Sequence, residues 1–149
     1  MILIAHRGNT NGPRPELENH PDYIDAAISM GYKVEVDLRY IDGKWFLGHD
    51  EGQYEVSLKW LEMRKHDLYI HCKNMNSLVR LQKSRFHTFW HENDDFTLTS
   101  GGVIWAYPGQ EIDSCKTAIA VMPETANTNL KNYTGICSDY VSEYKTGPV

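Results

Sequence analysis

The run Lys33-Val34-Glu35-Val36-Asp37-Leu38-Arg39 alternates without a break between charged and apolar side chains. A period of two marks an extended strand whose successive residues point to opposite faces. Val34, Val36 and Leu38 therefore share an apolar face, and Glu35 and Asp37 share the other. Two carboxylates that close repel each other, and a divalent cation is the natural remedy. The competing reading is a solvated face of an antiparallel sheet, on which the acids simply meet water.

The neighbouring segments set that strand in a repeating order. Ile2 to Ala5 reads as a first strand, followed by a polar loop from Gly8 to Asn19. Pro21 opens a helix, Tyr23, Ala26, Ala27 and Met30 repeat at helical spacing, and Gly31 closes it. Asp42-Gly43 signals a tight turn, with Lys44 to Gly48 returning as a short extended piece. A second helix is expected from the N-cap Ser57 to about Lys65, a third strand over Leu68 to Lys73, and a third helix over Ser77 to Lys83.

The second half differs. Phe86 to Trp90, Phe96 to Thr99, Val103 to Tyr107, Thr117 to Met122 and Tyr133 to Cys137 all read as strands, with little helical periodicity between them. Parallel neighbours need a crossover of roughly a dozen residues or more. Ser100-Gly101-Gly102 is too short for one, so those two strands form an antiparallel hairpin or one lies outside the main sheet. A full (β/α)8 barrel takes about 250 residues; this chain has 149. The expectation is therefore one domain spanning 1–149: a reduced TIM-like (β/α) barrel with helices mostly in the first half and shortened or missing in the second.

Charge and cysteine content narrow the function classes. Lys and Arg total 15 against 20 Asp and Glu, a formal charge of −5, and no basic run stands out, which disfavours nucleic acid as partner. The apolar start Met1 to Ala5 is too short for a membrane span or signal core. Cys72, Cys115 and Cys137 form no CxxC pair and fit reduced thiols, so a cytoplasmic location is expected.

Four pieces carry chemistry: Ala5-His6-Arg7-Gly8, Glu35-Val36-Asp37, Gly48-His49-Asp50 and His71-Cys72-Lys73. Each sits at or near the C-terminal end of an expected strand, where functional groups converge in a barrel. His6 or His49 alone reads as an ordinary histidine among 7; their joint occurrence with the acids points to a site.

The stretch His6-Arg7-Gly8, Glu18-Asn19, Gly31 to Arg39, Asp42-Gly43 and His49-Asp50 resembles the glycerophosphodiester phosphodiesterase family, within the superfamily of phosphatidylinositol-specific phospholipase C. The likeness runs from His6 to Lys73 and returns at Gly135-Ile136-Cys137-Ser138-Asp139-Tyr140, similar to that family's last-strand motif.

The resemblance implies a metal-dependent phosphodiester hydrolase acting on a small glycerophosphodiester-like substrate. His6 and His49 would be the catalytic acid and base, Glu35 and Asp37 would hold one divalent cation, and Arg7 and Lys73 would meet the phosphate. The chemistry agrees: cation, Arg and Lys offset charge growing on the phosphoryl oxygens, while imidazole, with an unperturbed pKa of ~6.5, can accept or give a proton near neutral pH. The departure is His71, where the family's Glu-x-Lys motif has its glutamate. His71 is a third ligand, or the third protein ligand is gone, or activity is lost. Two carboxylates suit Mg²⁺ or Ca²⁺, and an imidazole suits Mn²⁺ or Zn²⁺. A non-catalytic module for phosphate-bearing ligands and a cyclising phospholipase are the alternatives. His91 within the acidic run to Asp95, the aromatics Trp105 and Tyr107, and Glu124 are weaker candidates; a solvated loop and plain core are the simpler readings of the first two.

Overall fold

The computed structural model describes residues 1–114 and 116–145; Cys115 lies outside them. Its elements in chain order are β1 (Ile2–His6), α1 (Pro21–Ser29), β2 (Lys33–Ile41), β3 (Lys44–Leu47), β4 (Tyr54–Val56), α2 (Leu58–Met63), β5 (Leu68–Cys72), α3 (Met75–Leu81), β6 (Thr88–Phe89), β7 (Phe96–Leu98), β8 (Ile104–Ala106), β9 (Ala118–Val121) and β10 (Gly135–Ser138). Two short 3₁₀ turns, Pro123–Thr125 and Val141–Tyr144, complete them.

All ten strands belong to one curled mixed sheet. Around the curl the order is β6-β5-β2-β1-β10-β9-β8-β7, with β3 and β4 branching from β2. The pairs β5–β6, β2–β5, β1–β2, β1–β10, β9–β10 and β8–β9 are parallel, whereas β2–β3, β3–β4 and β7–β8 are antiparallel. No ladder joins β6 to β7; single bonds link the two ends, including Ser100 N–H to the Thr88 carbonyl at 2.8 Å.

The expected reduced (β/α) barrel is therefore corrected: the described residues form a curled half-barrel of mixed strands with three short helices. Among the described residues no α-helix follows Leu81. The reason lies in the connections. The segment after β8 contains Pro108 and Gly109, which interrupt helices, and the segment after β9 forms only the 3₁₀ turn that Pro123 opens. Instead of a helical stripe they lay single side chains, Ile112, Leu130 and Tyr133, onto the outer face. Ser100-Gly101-Gly102 closes the antiparallel hairpin.

β2 is the hub. Its outward residues Val34, Val36 and Leu38 are fully buried in the cluster that includes Ile24 and Ala27 of α1 and Leu81 of α3. Burying such a side chain stabilises by about 1.5–3 kcal/mol. Caps fix the helices: the His20 ring accepts from Asp22 N–H, Ser57 Oγ from Trp60 N–H and Asn74 Oδ1 from Ser77 N–H. Asn74 also donates to the Tyr40 carbonyl, which ties α3 to the end of β2.

The concave face holds a second cluster, Ile4, Phe89, Val103, Trp105, Ile119, Val121 and Cys137. It fills the curl below one end, and Glu35 and Asp37 stand above it. Among the described residues no helix is long and apolar enough to cross a membrane.

Candidate metal centre and acid–base pair

β1 ends at His6, and the chain then turns through Arg7 with φ 55, a left-handed conformation uncommon for a side-chain-bearing residue. The turn is held at both ends: Arg7 N–H donates to the Glu35 carbonyl (2.9 Å) and Asn19 N–H to the Arg7 carbonyl (3.0 Å). It also frees the edge of β2 beyond Glu35. β3 takes that edge from Leu38 onward, which carries the Gly48–Asp50 loop toward Arg7. Arg39 donates to the carbonyls of Gly48 and His49 and holds the loop there.

Glu35, Asp37 and His71 converge. One ligand atom of each lies within 4.8 Å of the others. The register explains it: Asp37 pairs with His71 across the parallel β2–β5 ladder, and Glu35 is two residues from Asp37 on the same face. Glu35 is 3% exposed and Asp37 0%. His71 Nδ1 stands 3.7 Å from Glu35 Oε2 and 3.5 Å from Asp37 Oδ1. Asp37 Oδ2 accepts from Asn19 (2.9 Å) and lies 3.0 Å from Arg7 Nε. Glu35 Oε1 and Asp37 Oδ1 are buried without a hydrogen-bond partner. Orphaned carboxylate oxygens are costly; Asp37 Oδ1 beside His71 Nδ1, with the Glu35 carboxylate next to both, forms a donor set that fits a divalent cation.

Electrostatics sharpens that fit. Burial opposes ionisation of Glu35, but the neighbouring His71, His6 and Arg7 outweigh it and hold its pKa below the ordinary carboxylate value. Asp37 is shifted the other way, by burial first and then by the Glu35 charge.

His6 faces the same centre. Its Nε2 is 4.0 Å from Glu35 Oε1, and its Nδ1 is 2.7 Å from Asp139 Oδ1, which also accepts from Asn9 at 2.9 Å. Burial disfavours the imidazolium, but the Asp139 bond and the Glu35 charge outweigh it and raise the pKa. In the sequence Asp139 carries no role of its own. Its signal was the last-strand motif: once β10 lies beside β1 with Ser138 opposite Ala5, Asp139 falls next to His6.

The other expected residues are placed differently. His49 lines the same cavity as His6, of about 160 Å³, but at its rim, half-exposed, with Nδ1 2.7 Å from Asp50 Oδ1. Arg7 lines it too, yet its guanidinium already meets Asp37 and Glu18, the latter at 3.1 Å. Lys73 is not among the lining residues. His91 lines the cavity and stacks on Tyr107, ring centroids 3.5 Å apart, whereas Glu92 to Asp95 are exposed. Trp105 is core, 1% exposed. Glu124 accepts from Ser138 and Tyr144 instead of facing the site. Cys137 also lines the cavity, and burial raises its pKa, so it stays a thiol.

No family model matches the chain, and neither the curated proteins nor the solved structures contain a match to it.

Proposed function

We propose that this protein is a divalent-cation-dependent phosphodiester hydrolase in which His6 and His49 exchange protons with substrate and water. The observation that carries the reading is the oriented His6. One ring nitrogen is fixed by Asp139 at 2.7 Å, and the other opens onto the Glu35 carboxylate in a shared cavity. An imidazole oriented by a carboxylate is the arrangement general acid–base chemistry needs.

In the proposed reaction a water oxygen bonds to phosphorus and the phosphorus–oxygen bond to the alcohol breaks. One histidine takes the proton of the water, and the other gives a proton to the departing alkoxide. A cation on Glu35 and Asp37 would supply the positive charge that stabilises the phosphoryl oxygens. Without it the cavity offers a phosphodiester chiefly repulsion, because Arg7 is already occupied by Asp37 and Glu18. A glycerophosphodiester is the substrate class the motif resemblance suggests.

Histidine at position 71 in place of the motif's glutamate, together with the helix-poor second half, supports a second reading: a module that binds a phosphate-bearing ligand without turnover. Turnover in ¹⁸O-labelled water with Mn²⁺ separates the readings. Hydrolysis puts the label into the phosphomonoester, cyclisation by a substrate hydroxyl gives an unlabelled cyclic phosphate, and a binding module gives no product.

A further inference from the structure

His71 has a second contact that bears on which ion this site accepts. Its Nε2 lies 3.2 Å from the backbone carbonyl of His91. A carbonyl only accepts, so Nε2 carries the hydrogen and donates it. Nδ1 is then free to present a lone pair, and it points at Glu35 and Asp37. The ring is further held by stacking on Phe89, centroids 4.8 Å apart and planes 21° apart. Fixing one nitrogen of a histidine through a backbone carbonyl while the other ligates is a recurrent device of metal sites.

A hydrogen on Nδ1 that simply bonds the two acids fits less well. Nδ1 is 3.5 Å and 3.7 Å from the nearest carboxylate oxygens, beyond the 2.7–3.2 Å of an N–H···O bond. Those separations suit donors facing a common ion between them. Asp37 Oδ1, the nearer of the two, is also one of the buried oxygens without a hydrogen-bond partner.

We infer that His71 is a nitrogen ligand acting through Nδ1, its tautomer set by the His91 carbonyl, and that the resulting one-nitrogen, two-carboxylate site selects Mn²⁺ or Zn²⁺ over Mg²⁺ and Ca²⁺. The inference rests on the reading of Glu35 and Asp37 as cation ligands. Its physical basis is donor chemistry: Mg²⁺ and Ca²⁺ take oxygen ligands, whereas imidazole binds the first-row transition ions and Zn²⁺.

The test is calorimetric titration of the chelator-treated full chain with each of the four ions, with long-range ¹H–¹⁵N NMR of the His71 ring before and after Zn²⁺. The native chain should bind Mn²⁺ and Zn²⁺ at least about tenfold more tightly than Mg²⁺ and Ca²⁺, the preference a nitrogen donor imposes. His71→Ala should remove that preference, and His71→Glu should shift it toward Mg²⁺ and Ca²⁺. Zn²⁺ should move the Nδ1 resonance while Nε2 keeps its proton. The inference is overturned if all four ions bind alike, if none binds, if His71→Ala keeps the preference, or if Nδ1 is protonated and unmoved by Zn²⁺. Should either variant fail to fold, the NMR result on the native chain decides. The expected selectivity without any hydrolysis would sink the phosphodiesterase reading alone. Hydrolysis supported by tightly bound Mg²⁺ or Ca²⁺ would sink this inference alone.

Discussion

His6 Nδ1 lies 2.7 Å from Asp139 Oδ1, a contact between residues 133 positions apart in the chain. The parallel pairing of β1 with β10 brings them together. The first and last strands thus meet at the residue on which the proposed acid–base chemistry depends, and in that proposal Asp139 acts only through His6.

Asp139→Asn tests that relationship. The amide keeps the shape but loses the charge that, with Glu35, holds the His6 pKa up. We expect turnover to fall by about two to four orders of magnitude, as for other losses of general acid–base function. The limb of the pH–rate profile governed by His6 should move to lower pH. A purely structural role for Asp139 would lower activity without moving that limb.

Gly48→Ala should disable His49 without touching the ligands. Gly48 has φ 151, and a Cβ there would run into the Glu51 carbonyl oxygen. The loop must therefore shift and carry His49 from the cavity rim. Turnover should drop at least about tenfold, while Mn²⁺ affinity stays within about twofold of native; a matching loss of affinity would mean the loop supports the ion.

Asp37→Asn should separate stability from metal binding. Asp37 is fully buried next to Glu35, and its raised pKa reports the cost of keeping it ionised. The variant should lose the rise in melting temperature produced by Mn²⁺, since binding to the folded state alone is what stabilises. Its metal-free melting temperature should equal or exceed the native value. A large metal-free destabilisation would show that the Asp37 contacts with Arg7 and Asn19 outweigh that cost.

His87 gives a pH signature away from the cavity. Burial lowers its pKa below the usual 6.5, and its Nε2 is 2.6 Å from Thr99 Oγ1. The unfolded chain therefore takes up this proton first as pH falls. The stability His87 contributes is present above pH ~6.5 and is lost as pH drops through the folded-state value. Urea unfolding at pH 7.5 and pH 5 should show a larger loss for the native chain than for His87→Gln; equal losses would remove His87 from the acid sensitivity.

Much of this was legible in the sequence because local patterns carried it. The alternation in β2 placed Glu35 and Asp37 together and gave Val34, Val36 and Leu38 to the core. Caps and glycines marked α1 to within two residues of its end. What was not legible depended on long-range register. The Asp42-Gly43 turn and its return strand are legible; the missed strand β4 and the His6–Asp139 contact each arise from which strand lies beside which. The barrel expectation failed for a related reason: strand spacing shows that a crossover is short but not how a helix-free loop covers the outer face. The motif resemblance implies a phosphate contact for Arg7, and its ion pairs with Asp37 and Glu18 appear only when residues distant in sequence are brought together.

The most direct test of the central claim is ³¹P NMR of glycerophosphocholine incubated with Mn²⁺-loaded native protein and with His6→Ala. The account predicts growth of a phosphomonoester resonance in the native sample and, in the variant, a rate at least about 100-fold lower. An unchanged diester resonance in the native sample with Mn²⁺, Zn²⁺, Mg²⁺ and Ca²⁺ alike, or an equal rate in His6→Ala, would contradict it.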